Sequence, residues 1–115
     1  MSECFHSPAD RRFAKSLREA APTEFAAYVA FSGAVMQREG GALDLKTREL
    51  IALGVALTTQ CAYCLESHTK AAAKLGATPQ EIAEVVYVTA AMRAGAGAAH
   101  GMLAMKLYEA AKAAA

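Results

Sequence analysis

The 115-residue sequence predicts an all-α fold: a bundle of about five to six helices around a central antiparallel helix hairpin that carries a Cys-x-x-Cys pair. Three observations predict it. Apolar residues recur at spacings of three and four along most of the chain, with no period-two stretch that would mark a strand. Prolines, Ser/Thr/Asp caps and glycines punctuate the chain at helix-length intervals. About a quarter of the residues are alanine, the strongest helix former.

Each element has its own signal. Ser7-Pro8-Ala9-Asp10 is a helix start, with Ser7 as cap and Pro8 at the first helical position, where its missing N–H costs nothing. The first helix is expected to run to about Ala20, burying Phe13 and Leu17. Pro22-Thr23-Glu24 restarts the chain. Phe25, Tyr28, Val29, Ser32, Val35 and Met36 then recur with helical spacing until Gly40-Gly41, and this aromatic face is expected to cover the hairpin or form a subunit contact. Asp44 or Thr47 caps a third helix whose run Leu50–Leu57 is apolar on every side, the pattern of a helix buried all round. Gly54 within it costs about 1 kcal/mol relative to alanine, which points to a close backbone neighbour. The fourth helix spans Cys61 to Leu75 and stops at Gly76. Thr78-Pro79-Gln80-Glu81 is a capping box with proline at the first position. The fifth helix carries Ile82, Val85, Val86, Thr89 and Met92 on one face; Gly95 and Gly97 are expected to kink or break it. A last helix reaches about Ala111 with Leu103, Leu107 and Tyr108 inward, and the tail Ala110 to Ala115 is expected to fray.

Chemistry is concentrated between Glu49 and His68, where an acid, two thiols and an imidazole fall within about twenty residues. Cys61 and Cys64 can share one helical turn, and His68 follows Cys64 by four, so the three form one stripe on a helix. On a single straight helix Glu49 would lie about 18 Å from Cys61. Thr58-Thr59-Gln60, two β-branched residues and a polar one, offer a break. If the chain folds back there, His68 comes opposite residues 50 to 52, and Glu49 lies within about a turn of it.

Composition narrows the rest. The length and the lack of a linker imply one domain over residues 1–115, and an apolar fraction of 55% leaves apolar surface for identical partners. A net charge of +1 and a pI near 7.7 give no footprint for nucleic acid or an anionic membrane. Arg11, Arg12, Lys15 and Arg18 make a basic stripe interspersed with acids, read as a solvated face. The N-terminus lacks the pattern of a secretory signal, and no apolar run approaches membrane-spanning length, so a cytoplasmic location is expected. In a reducing compartment a Cys-x-x-Cys is catalytic or metal-binding more often than structural.

The dithiol admits three readings. In the redox reading a thiolate is oxidised to a sulfenic acid and its neighbour condenses with it to a disulfide. A zinc site would need a fourth ligand beyond Cys61, Cys64 and His68, recruited from His100, Cys4 or His6, and no second Cys-x-x-Cys exists, so neither metal nor cofactor is expected. The third reading makes the cysteines core packing residues of a non-enzymatic oligomeric binding or scaffold protein. A thioredoxin fold is excluded, because its motif needs a preceding strand.

Glu49, eleven residues, Cys61-x-x-Cys64, three residues and His68 together resemble the core signature of the alkylhydroperoxidase D-like family, within the carboxymuconolactone decarboxylase superfamily. The similarity covers about residues 25 to 108. It implies an all-helical homo-trimer or homo-hexamer that reduces peroxides through its thiols with a dithiol or protein reductant. By that resemblance Cys64 attacks the peroxide, Cys61 resolves the sulfenic acid, and Glu49 with His68 relays the activating proton. Helix-end electrostatics alone would favour Cys61 as the more acidic thiol; the i, i+4 relation of Cys64 to His68 favours Cys64. The best-known branch of the family has histidine before the second cysteine, where this sequence has Tyr63, which bears on efficiency, on the reductant and on any lipoyl-protein partner. The decarboxylase branch lacks the dithiol, so lactone decarboxylation is the lesser enzyme reading. Similar relatives often share the run Arg93-Ala-Gly-Ala-x-x-Ala-His100-Gly. His100 is therefore, with Tyr63, a candidate pocket residue, although a lone histidine on an alanine-rich helix is usually a packed or half-exposed one. Cys4 is expected to be an exposed bystander.

Overall fold

The computed structural model describes residues 6–115, so Cys4 lies outside the described residues. A short 3₁₀ segment, Pro8–Phe13, leads into α1 (Ala14–Ala20), α2 (Pro22–Met36), α3 (Leu45–Thr59), α4 (Ala62–Lys74) and α5 (Pro79–Ala114). Among the described residues there is no strand, and no helix is long and apolar enough to cross a membrane.

The local signals account for most of the boundaries. Ser7 accepts from the Ala9 N–H while Asp10 accepts from the Ser7 N–H, so the chain start is capped as its sequence implies. It opens as a 3₁₀ turn rather than as an α-helix. α2 ends at Met36, short of Gly40-Gly41, and the last turn is satisfied from elsewhere: the Arg48 guanidinium donates to the Val35 carbonyl at 2.5 Å and to the Leu43 carbonyl at 3.1 Å. A side chain at Gly41 would collide with that guanidinium. Asp44 caps α3 by accepting from the Thr47 N–H at 2.7 Å. α4 stops in a Schellman turn, with the Ala77 N–H donating to Ala72 and the Gly76 N–H to Ala73. Gly76 sits at φ +88°, where only glycine avoids a Cβ penalty. Thr78 and Glu81 close the reciprocal capping box of α5, and Glu81 also meets Lys46 of α3 at 2.9 Å.

α3 and α4 form the antiparallel hairpin, and the first half of α5 packs against the other side of α3. The buried apolar residues are Leu53, Ala56 and Ala72, with Glu49 and Thr89 buried beside them. This small core corrects several expectations from periodicity. α3 is not buried all round, since Ile51 and Val55 are more than half exposed; Phe13, Leu17, Leu103, Leu107 and Tyr108 are also exposed. α5 is one helix of 36 residues, running through Gly95 and Gly97 and on to Ala114, where a fifth and a sixth helix and a frayed tail were expected. Neither glycine has a positive φ, so each only weakens the helix, by about 1 kcal/mol, without redirecting the chain. From Ala90 onward α5 is exposed apart from the half-buried Gly101.

The isolated chain is extended. Its radius of gyration is 19.5 Å, against about 13 Å for a compact domain of this length. Its accessible surface is 8972 Å², against about 6000 Å² for a globular protein of this mass.

At Gly54 the expected close backbone is absent. A Cβ there would meet the Thr89 hydroxyl at 3.4 Å and a Val85 methyl at 3.6 Å, both on side chains of α5. Gly54→Ala is therefore expected to stabilise the protein by about 0.5–1 kcal/mol through helix propensity. A thermal midpoint below wild type would show that α3 and α5 pack more tightly than these distances allow.

Candidate active site

The site is built at the α3–α4 turn. Thr58 and Thr59 turn their hydroxyls back onto the Val55 and Ala56 carbonyls, occupying acceptors at the end of the helix. Gln60 then takes the left-handed conformation (φ 57°, ψ 42°), and Cys61 is extended as the N-cap of α4. A link of two residues between antiparallel helices leaves little freedom of register. It places the start of α3 beside the middle of α4.

Glu49 stands on the stripe of α3 that Leu53 and Ala56 continue, and the three are buried together. A carboxylate 7% exposed needs a partner, because burial without one carries a large desolvation cost. His68 supplies it: Nδ1 lies 2.6 Å from Glu49 Oε2. With Glu49 as a carboxylate, which only accepts, Nδ1 is the donor of this contact, and in that neutral tautomer Nε2 carries the lone pair. His68 projects from α4 one turn after Cys64, on the same helix face.

Cys61 and Cys64 are joined as a disulfide, with Cα atoms 5.2 Å apart, and both are half-buried. The Cys61 sulfur also caps α4, accepting the Cys64 N–H at 3.2 Å. A sulfur in this position is stabilised as an anion by the helix end once the bond is reduced. Among the described residues, no group of three or more His, Cys, Asp or Glu side chains could hold a metal ion.

The model of the carboxymuconolactone decarboxylase family matches residues 22–107, which includes the whole hairpin and most of α5. The chain belongs to the carboxymuconolactone decarboxylase family. It resembles a solved carboxymuconolactone decarboxylase family protein from Legionella pneumophila, in its apo form, at a TM-score of 0.59 and 29% identity over 75% of this chain and 81% of that one. An uncharacterized protein of the cox locus of Paracoccus denitrificans is 48% identical over 69 residues, 60% of this chain and 62% of the relative, so the match spans less than two thirds of that protein. An uncharacterized protein of Cupriavidus necator is 31% identical over 95 residues, 83% of this chain and 82% of its own length.

In this carboxymuconolactone decarboxylase family member, the segment before the matched region also reaches the start of α4, beside the dithiol. Tyr63, the residue preceding Cys64, is held at both ends by consecutive residues of the 3₁₀ segment. Its phenol donates to Asp10 at 2.8 Å, and its carbonyl accepts from the Arg11 guanidinium at 2.9 Å. The same guanidinium donates to the Ser67 hydroxyl and lies 3.6 Å from Glu66. His6 meets the Tyr63 ring edge-on, with centroids 6.0 Å apart. The phenol holds the Asp10 carboxyl below its ordinary range, and Asp10 in turn raises the Tyr63 phenol. Glu66 is also held low, first by its hydrogen bond with Lys70 and then by the charges of Lys70 and Arg11.

The sequence pattern missed this clamp. Arg11 was part of a basic stripe read as solvated, and a contact across 52 to 56 residues leaves no local signal. His100, by contrast, is exposed on α5, its Nδ1 3.3 Å from the Ala96 carbonyl of its own helix.

Two cavities flank the hairpin. A groove of about 560 Å³ between α3 and α5, lined by Ile51, Gly54, Val55, Val85, Val88 and Met92 among others, lies on the face of α3 opposite Glu49. A second, of about 530 Å³, lies beside Tyr63 and is walled by Asp10, Arg11, Phe13, Ala14 and Leu17.

Proposed function

We propose that this chain is a thiol-dependent peroxidase that cycles Cys61 and Cys64 between dithiol and disulfide. The observation that carries the reading is the contact of buried Glu49 with His68 Nδ1, one helical turn from a cysteine that already pairs with a second. His68 Nε2 takes the Cys64 proton, with Glu49 fixing the tautomer and stabilising the imidazolium. The Cys64 thiolate attacks the terminal oxygen of a hydroperoxide; the O–O bond breaks, the alkoxide takes the proton from His68, and an alcohol leaves. Cys61 then attacks the Cys64 sulfenic acid, expelling water and closing the disulfide. A dithiol reductant supplies two electrons and two protons to restore the pair. The cytosol, where thiols are kept reduced, suits such a cycle.

The family also takes its name from lactone decarboxylation, and a scaffold would need no chemistry at all. A paired carboxylate and imidazole beside two bonded cysteines favours thiol chemistry over both. The deciding assay supplies hydrogen peroxide or an organic hydroperoxide together with dithiothreitol. Catalytic loss of peroxide, with one dithiol oxidised per peroxide consumed, is expected; loss no faster than without protein would overturn the reading.

We further propose that the working form is a homo-trimer or homo-hexamer. The extended shape and the exposed Tyr28, Phe31, Met102, Met105, Leu107 and Tyr108 support it, since a core this small leaves most of the apolar surface uncovered. Light scattering is expected to return three or six times the 12.0 kDa chain mass, and a monomer would refute this.

A further inference from the structure

The Arg11 contact falls on a sensitive bond. Its guanidinium donates to the Tyr63 carbonyl, and the peptide joining Tyr63 to Cys64 carries the N–H that the Cys61 sulfur accepts. Carbonyl and N–H are the two ends of one amide. A cation on the oxygen withdraws electron density through the amide and makes the N–H a better donor. A thiolate gains more from that donor than a disulfide sulfur does, because hydrogen bonds to an ionised acceptor are about twice as strong as neutral ones.

We infer that Arg11 is a positioning residue for the dithiol: docked on the Tyr63 carbonyl, it polarises the amide that caps the Cys61 sulfur and so stabilises Cys61 as the resolving thiolate that attacks the oxidised Cys64. Asp10 holds the other end of Tyr63, which keeps that carbonyl under the guanidinium. Arg11 and Asp10 precede the residues that match the family model, so this control belongs to the N-terminal segment. The inference rests on the proposed cycle only in requiring that Cys61 and Cys64 interconvert between dithiol and disulfide.

Other charges on the neighbouring elements set the background. The N-terminal segment brings His6, Asp10 and Arg11, α3 brings Glu49, and α4 brings Glu66, His68 and Lys70. The Arg11 side chain is half exposed and partly offset by Glu66, so its effect is moderate.

The test uses the full chain with Cys4 and Cys64 replaced by serine, leaving Cys61 as its one thiol. The pH dependence of its alkylation rate reads the thiol pKa directly. Arg11→Ala is expected to raise that pKa by about half a unit, Arg11→Lys to restore most of the shift, and Asp10→Asn to move it much less. In the chain with both cysteines, equilibrated with oxidised and reduced glutathione above the thiol pKa, Arg11→Ala should favour the disulfide about threefold, the same half unit expressed as an equilibrium. An unchanged pKa in an Arg11→Ala protein of wild-type helix content overturns the inference. So does an equal rise in Asp10→Asn, which would mean that loosening the segment suffices. If Arg11→Ala loses helix content, Arg11→Gln, which keeps a donor without the charge, is judged by the same criterion. Neither measurement uses peroxide, so a chain that fails to turn over peroxide yet shows the Arg11 shift refutes the proposed function and leaves this inference standing.

Discussion

Cys64→Ser is expected to abolish peroxide turnover with a dithiol reductant, down to the rate without protein; this is the largest effect expected of any single substitution. A serine hydroxyl is not ionised by an imidazole in the ground state, whereas a thiol is, and the thiolate is the nucleophile that attacks a peroxide. Position favours Cys64 as the attacking sulfur. Cys64 stands one turn before His68, whose Nδ1 is committed to Glu49, so the ring nitrogen left to accept a proton belongs to the imidazole nearest that thiol in sequence. Cys61 is the N-cap residue, suited to be a leaving or resolving thiolate. Cys61→Ser should therefore still consume one equivalent of peroxide and accumulate a Cys64 sulfenic acid, which a sulfenic-acid trap will label. Wild-type turnover in Cys64→Ser would sink the assignment. The opposite pattern, with Cys61 labelled and Cys64 dispensable, would show that helix-end stabilisation outweighs the imidazole.

Glu49→Gln should lower kcat/KM by about 10²-fold or more, in line with the contribution of an oriented general base. The substitution keeps size and burial but removes the charge that faces His68 Nδ1 at 2.6 Å. An amide can present its NH₂ to Nδ1, which drives the proton to Nε2 and leaves no lone pair toward the thiol. If it presents its oxygen instead, the tautomer survives but nothing offsets the imidazolium. Either route impairs proton transfer, as known triads with a neutralised acid demonstrate. Thermal stability should change little, because the near-isosteric amide still fills the stripe beside Leu53 and Ala56. Wild-type kinetics in a folded Glu49→Gln protein would reduce the Glu49–His68 pair to a structural contact.

The path from sequence to site differed from residue to residue. The meeting of Glu49 with His68 was legible because everything it needs is local: a break at Thr58-Thr59-Gln60, two helices with clear periodicity, and a link too short to permit another register. The caps at Ser7, Asp44 and Thr78 and the stop at Gly76 were legible for the same reason, since each satisfies backbone groups within a few residues. Glycine content misled at Gly95 and Gly97. A helix-weakening residue ends a helix only where another conformation is stabilised, and no turn competes there. Periodicity also placed Leu103, Leu107 and Tyr108 inward, whereas among the described residues they stay 48%, 61% and 59% exposed.

The all-helical class, the caps at Ser7 and Thr78 and the register of the hairpin were thus written in the order of residues, because short-range backbone chemistry and a tight turn leave few alternatives. The landing of Arg11 and Asp10 on Tyr63 and the side of α3 that receives α5 were decided by tertiary packing. Those outcomes depend on how rigid helices settle against one another across long stretches of sequence, and the same exposed charge or apolar stripe is compatible with many such arrangements until one of them excludes the rest.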